Sequence, residues 1–444
     1  MSDQTIHTRR AFMQKGLTLI STAATVPCFL DRTAWAIADP LDVARVRHRP
    51  GANDERVLVV LQLAGGNDGL NTIIPYANDL YHKARPRIGI PGKEVLRIND
   101  ELGFHPQATG LKQLYDAGLL AVVQGVGYPN PNRSHFIATD IWATADPTHR
   151  THNGWIGRYF DCTCSGAARP DPKSGIALTP ESPLALMGDC FSPVSFGRVQ
   201  DLAWRGPGAK GAGFKAFKRL NTLRPSERMA AADPHSASGA LAFLERTAMD
   251  ARSTAQEIQS ALGGKSSRGR RGAGHRAPPR RGGGGNLGNQ LTMVRRMIAA
   301  GLDTKVYYVS MGGFDTHAGQ VGRQRQLMKQ LGDALARFIG ELKRDHLLNK
   351  VVLMTFSEFG RRVAENGSQG TDHGVAAPLF VVGNAIRPGV HGEHPSLEPD
   401  ELDHGDLKWR TDFRSIYTSV LKDWLKADAK KVLGGKFEKL KLFK

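Results

Sequence analysis

The 444-residue sequence predicts an α/β fold, a three-layer sandwich in which helices cover both faces of a mostly parallel sheet. Three observations lead there. Apolar, β-branched runs of strand length recur along the chain, and segments with apolar residues at helical spacing lie between them. An apolar fraction of 40% with a charged fraction of 23% belongs to a chain able to bury a large core.

Residues 1–38 read as an export address. Arg9 and Arg10 precede Phe12, a moderately apolar stretch over 16–30, and the small residues Ala36 and Ala38 that suit peptidase cleavage. This order resembles a twin-arginine signal, which implies the twin-arginine export machinery as a partner and a periplasmic or other extracytoplasmic destination. That route carries folded cargo, often with a metal or cofactor already loaded. Cys28 follows Pro27, a poor lipoprotein box, so a released protein is expected. No run in the mature chain is long enough for a transmembrane helix. Residues 39–444 are expected to form a single α/β domain.

The strands follow in order. RVLVVLQL (56–63), LLAVVQGV (119–126), KVYYVSM (305–311), KVVLMTF (350–356) and PLFVV (378–382) are apolar throughout, the pattern of strands buried on both faces, as parallel strands are. Between them, 321–345 carries Leu327, Leu331, Leu335, Phe338 and Leu342 on one helical face, and 286–301 and 412–425 are similarly patterned.

The net charge of +18 raises the question of a polyanionic partner. Residues 264–285 account for seven of those charges with no acid, in a Gly/Arg/Pro segment that cannot bury enough apolar surface to order itself; it reads as a basic disordered insertion. No aromatics are interleaved there to stack on bases, which argues against nucleic acid. Three cysteines remain after the signal, Cys162, Cys164 and Cys190, an odd count that allows at most one internal disulfide.

In a sheet of this kind, ligands bind beyond the carboxyl ends of the strands. Nearly every expected strand runs into polar residues: AGGNDGLNT after the first, GYPNPNRSHF after the second, GGFDTH after the third, SEFGRR leading to GTDHG after the fourth. Asp68, Ser134, Asp315, His317, Glu358, Asp372 and His373 could therefore converge on one rim. Carboxylates and imidazoles gathered in that way are hard to hold without a cation, because bare like charges raise each other's pKa. Taken singly, Asp68 could be a turn residue, Ser134 a helix cap, Asp315 a capping Asp and Asp372-His373 a turn. Arg361 and Arg362 could be surface charge or could bind anionic oxygens bidentately.

LVVLQLAGGNDGLNTIIPY, GYPNPNRSHF, GGFDTHAGQ, TFSEFGRRVAENGSQGTDHG and TDFRSIY, in this order behind the signal, resemble the domain-of-unknown-function 1501 family over roughly residues 8–425 apart from the insertion. That family is grouped with the alkaline phosphatase and sulfatase superfamily, so the resemblance implies an alkaline-phosphatase-like fold and one or two divalent metal ions: zinc, manganese, magnesium or calcium. It implies metal ligation by Asp68, Asp315, His317, Glu358 and His373, with Asn67 and Asp372 in support. It also implies Ser134, which follows Arg133, as nucleophile; Arg133, Arg361 and Arg362 are then the candidates to bind an anionic ester substrate. SEFG stands where the superfamily has Asp-His-Gly, so a second metal site lacks a His, and PNPNRS lacks the Cys-x-Pro-x-Arg word of formylglycine enzymes. Three readings follow: a metal-dependent hydrolase of phosphate or sulfate esters, a catalytically silent envelope binding or assembly protein, and a polyanion binder acting through its basic segments.

Overall fold

The computed structural model describes residues 55–163, 171–202, 253–263 and 287–444. The expected signal, the basic insertion and Cys164 lie outside them. The chain divides into two compact units, and residues 198–202 and 253–263 belong to the smaller. In it, Val199–Leu202 forms a 3-10 turn whose preceding Arg198 N–H donates to Asp201 Oδ2 at 2.9 Å, and residues 253–263 are helical. All elements named below belong to the larger unit.

Its strands are β1 (Val57–Ala64), β2 (Ile73–Ile74), β3 (Leu96–Arg97), β4 (Gly103–Phe104), β5 (Leu120–Gly127), β6 (Gly175–Ala177), β7 (Val194–Ser195), β8 (Val306–Gly312), β9 (Val351–Phe356), β10 (Ala377–Gly383), β11 (Gly389–His391) and β12 (Thr411–Asp412). Its helices are α1 (Asp79–Ala84), α2 (Thr109–Asp116), α3 (His135–Thr144), α4 (Trp155–Thr163), α5 (Leu287–Ala299), α6 (Gln320–Arg344), α7 (Phe413–Ser419) and α8 (Ala429–Leu433). Among the described residues the main sheet has nine strands in the order β11-β5-β10-β9-β1-β8-β6-β7, with β12 also on β5; β2, β4 and β3 form a small separate sheet.

All five expected strands are present, within a residue or so at each end. The sheet is parallel except at β10, which is antiparallel to both β9 and β5. The expectation that PLFVV is a parallel strand is corrected here. The connection over 357–376 contains no helix to carry the chain across the sheet, so it re-enters at the edge it left and must run back. Burial on both faces, which made the run look parallel, holds for β10 as well.

The two faces are covered by different helices. Leu58, Val60, Val123, Met354 and Val381 pack with Trp142 of α3, Trp155 of α4, and Phe413 and Tyr417 of α7 in one continuous core. On the other side α6 buries Leu327, Leu331, Leu335, Phe338 and Leu342 and packs against α2 and α5. A side chain at Gly110 of α2 would run into the Gly332 carbonyl of α6, so that crossing needs glycine. In the lysine-rich tail beyond 426, Val432, Leu433, Leu442 and Phe443 are buried. No described helix is long and apolar enough to cross a membrane.

Candidate metal centre

The exits of β1, β5, β8 and β9 meet at one edge of the sheet, where the 357–376 connection folds over them. Two glycines allow the close approach. Gly65, just past β1, has φ +120°, and a methyl there would strike the Asp315 amide; one at Gly370 would strike the His317 carbonyl.

Asp315, in the loop after β8, presents Oδ1 to three imidazoles. His317 Nε2 lies 3.0 Å away, His373 Nε2 3.3 Å and His135 Nε2 3.6 Å. Each ring is fixed through its other nitrogen. His373 Nδ1 faces the Arg133 carbonyl at 2.8 Å, His317 Nδ1 faces Asp372 Oδ1 at 3.0 Å, and His135 Nδ1 faces Glu358 Oε1 at 2.8 Å. A carbonyl or carboxylate can only accept, so each Nδ1 can carry the proton, and a ring that is neutral in that tautomer turns an Nε2 lone pair inward. His317 Nε2 and His373 Nε2 stand 2.9 Å apart. Two lone pairs at that separation repel unless a proton or a cation sits between them. Donor atoms on a common zinc lie roughly 3–4 Å apart, the spacing seen around Asp315 Oδ1. His135, Asp315 and His373 each offer one donor atom within 4.8 Å of the other two.

The charges agree with that geometry. Asp315 faces the Arg361 guanidinium and Asp372 feels the Arg362 charge, while Glu358 faces the His135 ring, so with neutral rings the cluster still has room for positive charge. Burial pushes the His373 imidazole below its ordinary range, and the Arg361 charge adds to this against the pull of its hydrogen bonds, which keeps the ring neutral at pH 7. Burial pushes the Asp315 carboxyl up, but the Arg361 hydrogen bond and charge lead the contributions that hold it below its ordinary range. The Asn366 amide, then His317, hold Asp372 low.

Several expected residues sit elsewhere. Glu358 is nearly sealed: its Oε1 accepts from the Gly65 N–H at 2.7 Å and from His135, so it orients a ring and does not reach toward Asp315 Oδ1. Asp68 is apart from the cluster, its Oδ2 accepting from Arg85 Nη1 at 2.7 Å and from Gln320 Nε2, and neither side chain of the ion pair reaches solvent. The guanidinium and the amide both take Oδ2, while Oδ1 is buried without a hydrogen-bond partner. Asn67 stays with Asp68, its Oδ1 accepting from Thr72 Oγ1 at 2.9 Å. Arg361 does not face substrate: with no side-chain exposure, it bonds the carbonyls of Gly65, Gly66, Phe314 and Thr371 and, at 2.6 Å, Asp315 Oδ1. It ties the three loops together.

Ser134 is bracketed by the cluster, between the Arg133 carbonyl that holds His373 and the His135 ring. Its hydroxyl makes no capping bond to α3, so the capping role weighed for it is not taken up. Arg133 and Arg362 are half-exposed and share the buried carboxylate of Asp406, which Arg362 Nε meets at 3.2 Å. His135, inside GYPNPNRSHF, is the residue the sequence reading missed; its signal was a His at the start of a helix on the loop after β5.

Residues 121–407 match the family described as "Protein of unknown function (DUF1501)", and the chain belongs to that family. Among solved structures, the chain is similar to the lipoteichoic acid synthase LtaP from Listeria monocytogenes at 10% identity, over 82% of this chain and 76% of that one, with TM-score 0.34. It is also similar to the PsFucS1 sulfatase from Pseudoalteromonas sp. (12% identity, 80% and 70% covered, TM-score 0.30). A third is the phosphonate monoester hydrolase SpPMH from Silicibacter pomeroyi (8%, 87% and 76%, TM-score 0.31). No curated protein matches.

Proposed function

We propose that this protein is an exported, metal-dependent hydrolase of phosphate or sulfate esters with Ser134 as its nucleophile. The observation that carries the reading is the set of three imidazoles, each pinned through Nδ1 and each turning Nε2 toward Asp315 Oδ1. The inward nitrogens of His135, His317 and His373, with Asp315, would hold the ion; so imidazole-rich a set suits zinc better than manganese, magnesium or calcium, which prefer oxygen. Such an ion supplies polarisation of an ester oxygen.

The chain's own residues supply the rest. Ser134 Oγ attacks phosphorus or sulfur, the alcohol or phenol leaves, and water then releases the anion from the serine. Arg133 and Arg362, at the rim, face the anionic oxygens. Glu358, Asp372 and the Arg133 carbonyl keep the ring nitrogens oriented, and Arg361 holds Asp315 in place. The twin-arginine signal supports export to the periplasm.

One observation favours the catalytically silent reading. Arg361 already neutralises Asp315, so the carboxylate has a partner even without a cation. Elemental analysis, together with turnover of 4-nitrophenyl phosphate and sulfate, separates the two. The hydrolase reading expects bound divalent metal and turnover in the wild type, metal without turnover in Ser134→Ala, and neither in His373→Ala. Metal without turnover in the wild type favours the silent reading, and absence of metal overturns the site.

A further inference from the structure

Three large apolar side chains among the described residues are exposed: Phe136 at 85%, Ile137 at 38% and Val321 at 37%. Scattered surface hydrophobics need no explanation, but each of these lies within four residues of a histidine of the cluster. Phe136 and Ile137 directly follow His135 in the first turn of α3, and Val321 lies four residues after His317 in the first turn of α6. Both helix starts are anchored to the same Asp315 oxygen through those histidines. The same helices bury their other apolar residues, Ile141 and Trp142 in α3 and Leu327 and Leu331 in α6, so helix packing does not account for the exposed three. Beside them stand the half-exposed guanidiniums of Arg133 and Arg362. An apolar patch next to cationic groups and a cation site is complementary to one chemistry, a molecule anionic at one end and apolar at the other.

We propose that this rim binds the apolar moiety of an amphiphilic ester, an alkyl chain or aromatic ring carried by the alcohol or phenol that hydrolysis releases. The inference rests on the ester-hydrolase reading and deepens it. The anion lies at the Asp315 cluster and the arginine pair, while the hydrocarbon lies across Phe136, Ile137 and Val321.

The test is equilibrium binding of octylphosphonate and methylphosphonate, which have no ester bond to cleave, to the full chain loaded with zinc. Octylphosphonate should bind at least about tenfold more tightly in the wild type, since each buried methylene removes apolar surface from water. The double variant Phe136→Ser, Ile137→Ser should bring it to the affinity of methylphosphonate and leave methylphosphonate unchanged. Both positions are exposed, so folding is not at issue. Equal affinities in the wild type overturn the inference alone. Failure of the wild type to bind either phosphonate overturns the ester reading and this inference with it. Retention of the preference in the double variant overturns the inference too, and a concurrent shift from dimer to monomer in sedimentation would assign the patch to a second copy of the chain.

Discussion

Asp68 and Asp315 occupy comparable places, each just beyond the carboxyl end of a central strand, yet they do opposite work. Asp68 meets Arg85 and Gln320 in a pocket closed to solvent. Asp315 stays half-exposed and meets three ring nitrogens as well as Arg361. A carboxylate at a strand end is therefore a position, and its neighbours decide whether it is a sealed ion-pair partner or an open group facing imidazoles.

The largest expected effect breaks the sealed side. Arg85→Ala strands a buried carboxylate, which should cost about 3–5 kcal/mol of stability by denaturant titration while metal per folded chain stays at the wild-type level. His373→Ala should do the reverse, costing about 1 kcal/mol or less and removing the metal. If both variants lost stability and metal together, the two regions would be one network and the comparison would fail.

Next is the pH dependence on the Asp68 side. Burial, with the Arg325 charge adding to it, pushes the buried His105 imidazole down to about 4, against a pull from Asp68. Between pH 4 and its ordinary 6.5 the unfolded chain takes a proton that the folded chain refuses. Stability should be fully present above about pH 6.5 and fall by about 3 kcal/mol as pH drops toward 4. His105→Gln should flatten that slope; an unchanged slope would place the titration elsewhere.

A smaller effect sharpens the open side. Asp372→Ala removes the acceptor that holds the His317 tautomer, and should weaken zinc binding by about 10–100-fold in a chelator competition with little change in stability. Wild-type affinity in that variant would mean that His317 needs no such partner, or that it is not a ligand.

Much of this was legible in the sequence, for physical reasons. Strands buried on both faces advertise themselves as unbroken apolar runs, and the five long ones were readable; β6, β7, β11 and β12, two or three residues each, carry no such pattern. The gathering of Asp315, His317, Asp372 and His373 followed from the rule that strand ends share an edge. What was not legible depended on pairing. Nothing in HKARPR marks Arg85 as the partner of Asp68, and nothing in SEFGRR shows that Arg361 is sealed while Arg362 is half-exposed. The direction of β10 was recoverable, because a connection without a helical pattern cannot cross to start a parallel neighbour.

The most direct test of the central claim is an anomalous difference map from crystals of the full chain grown with zinc. The account predicts one peak about 2.0–2.2 Å from the Nε2 atoms of the site histidines and from Asp315, with each Nδ1 still on its carboxylate or carbonyl. A peak at Asp68, or none while Arg361 and Asp315 remain paired, would contradict it.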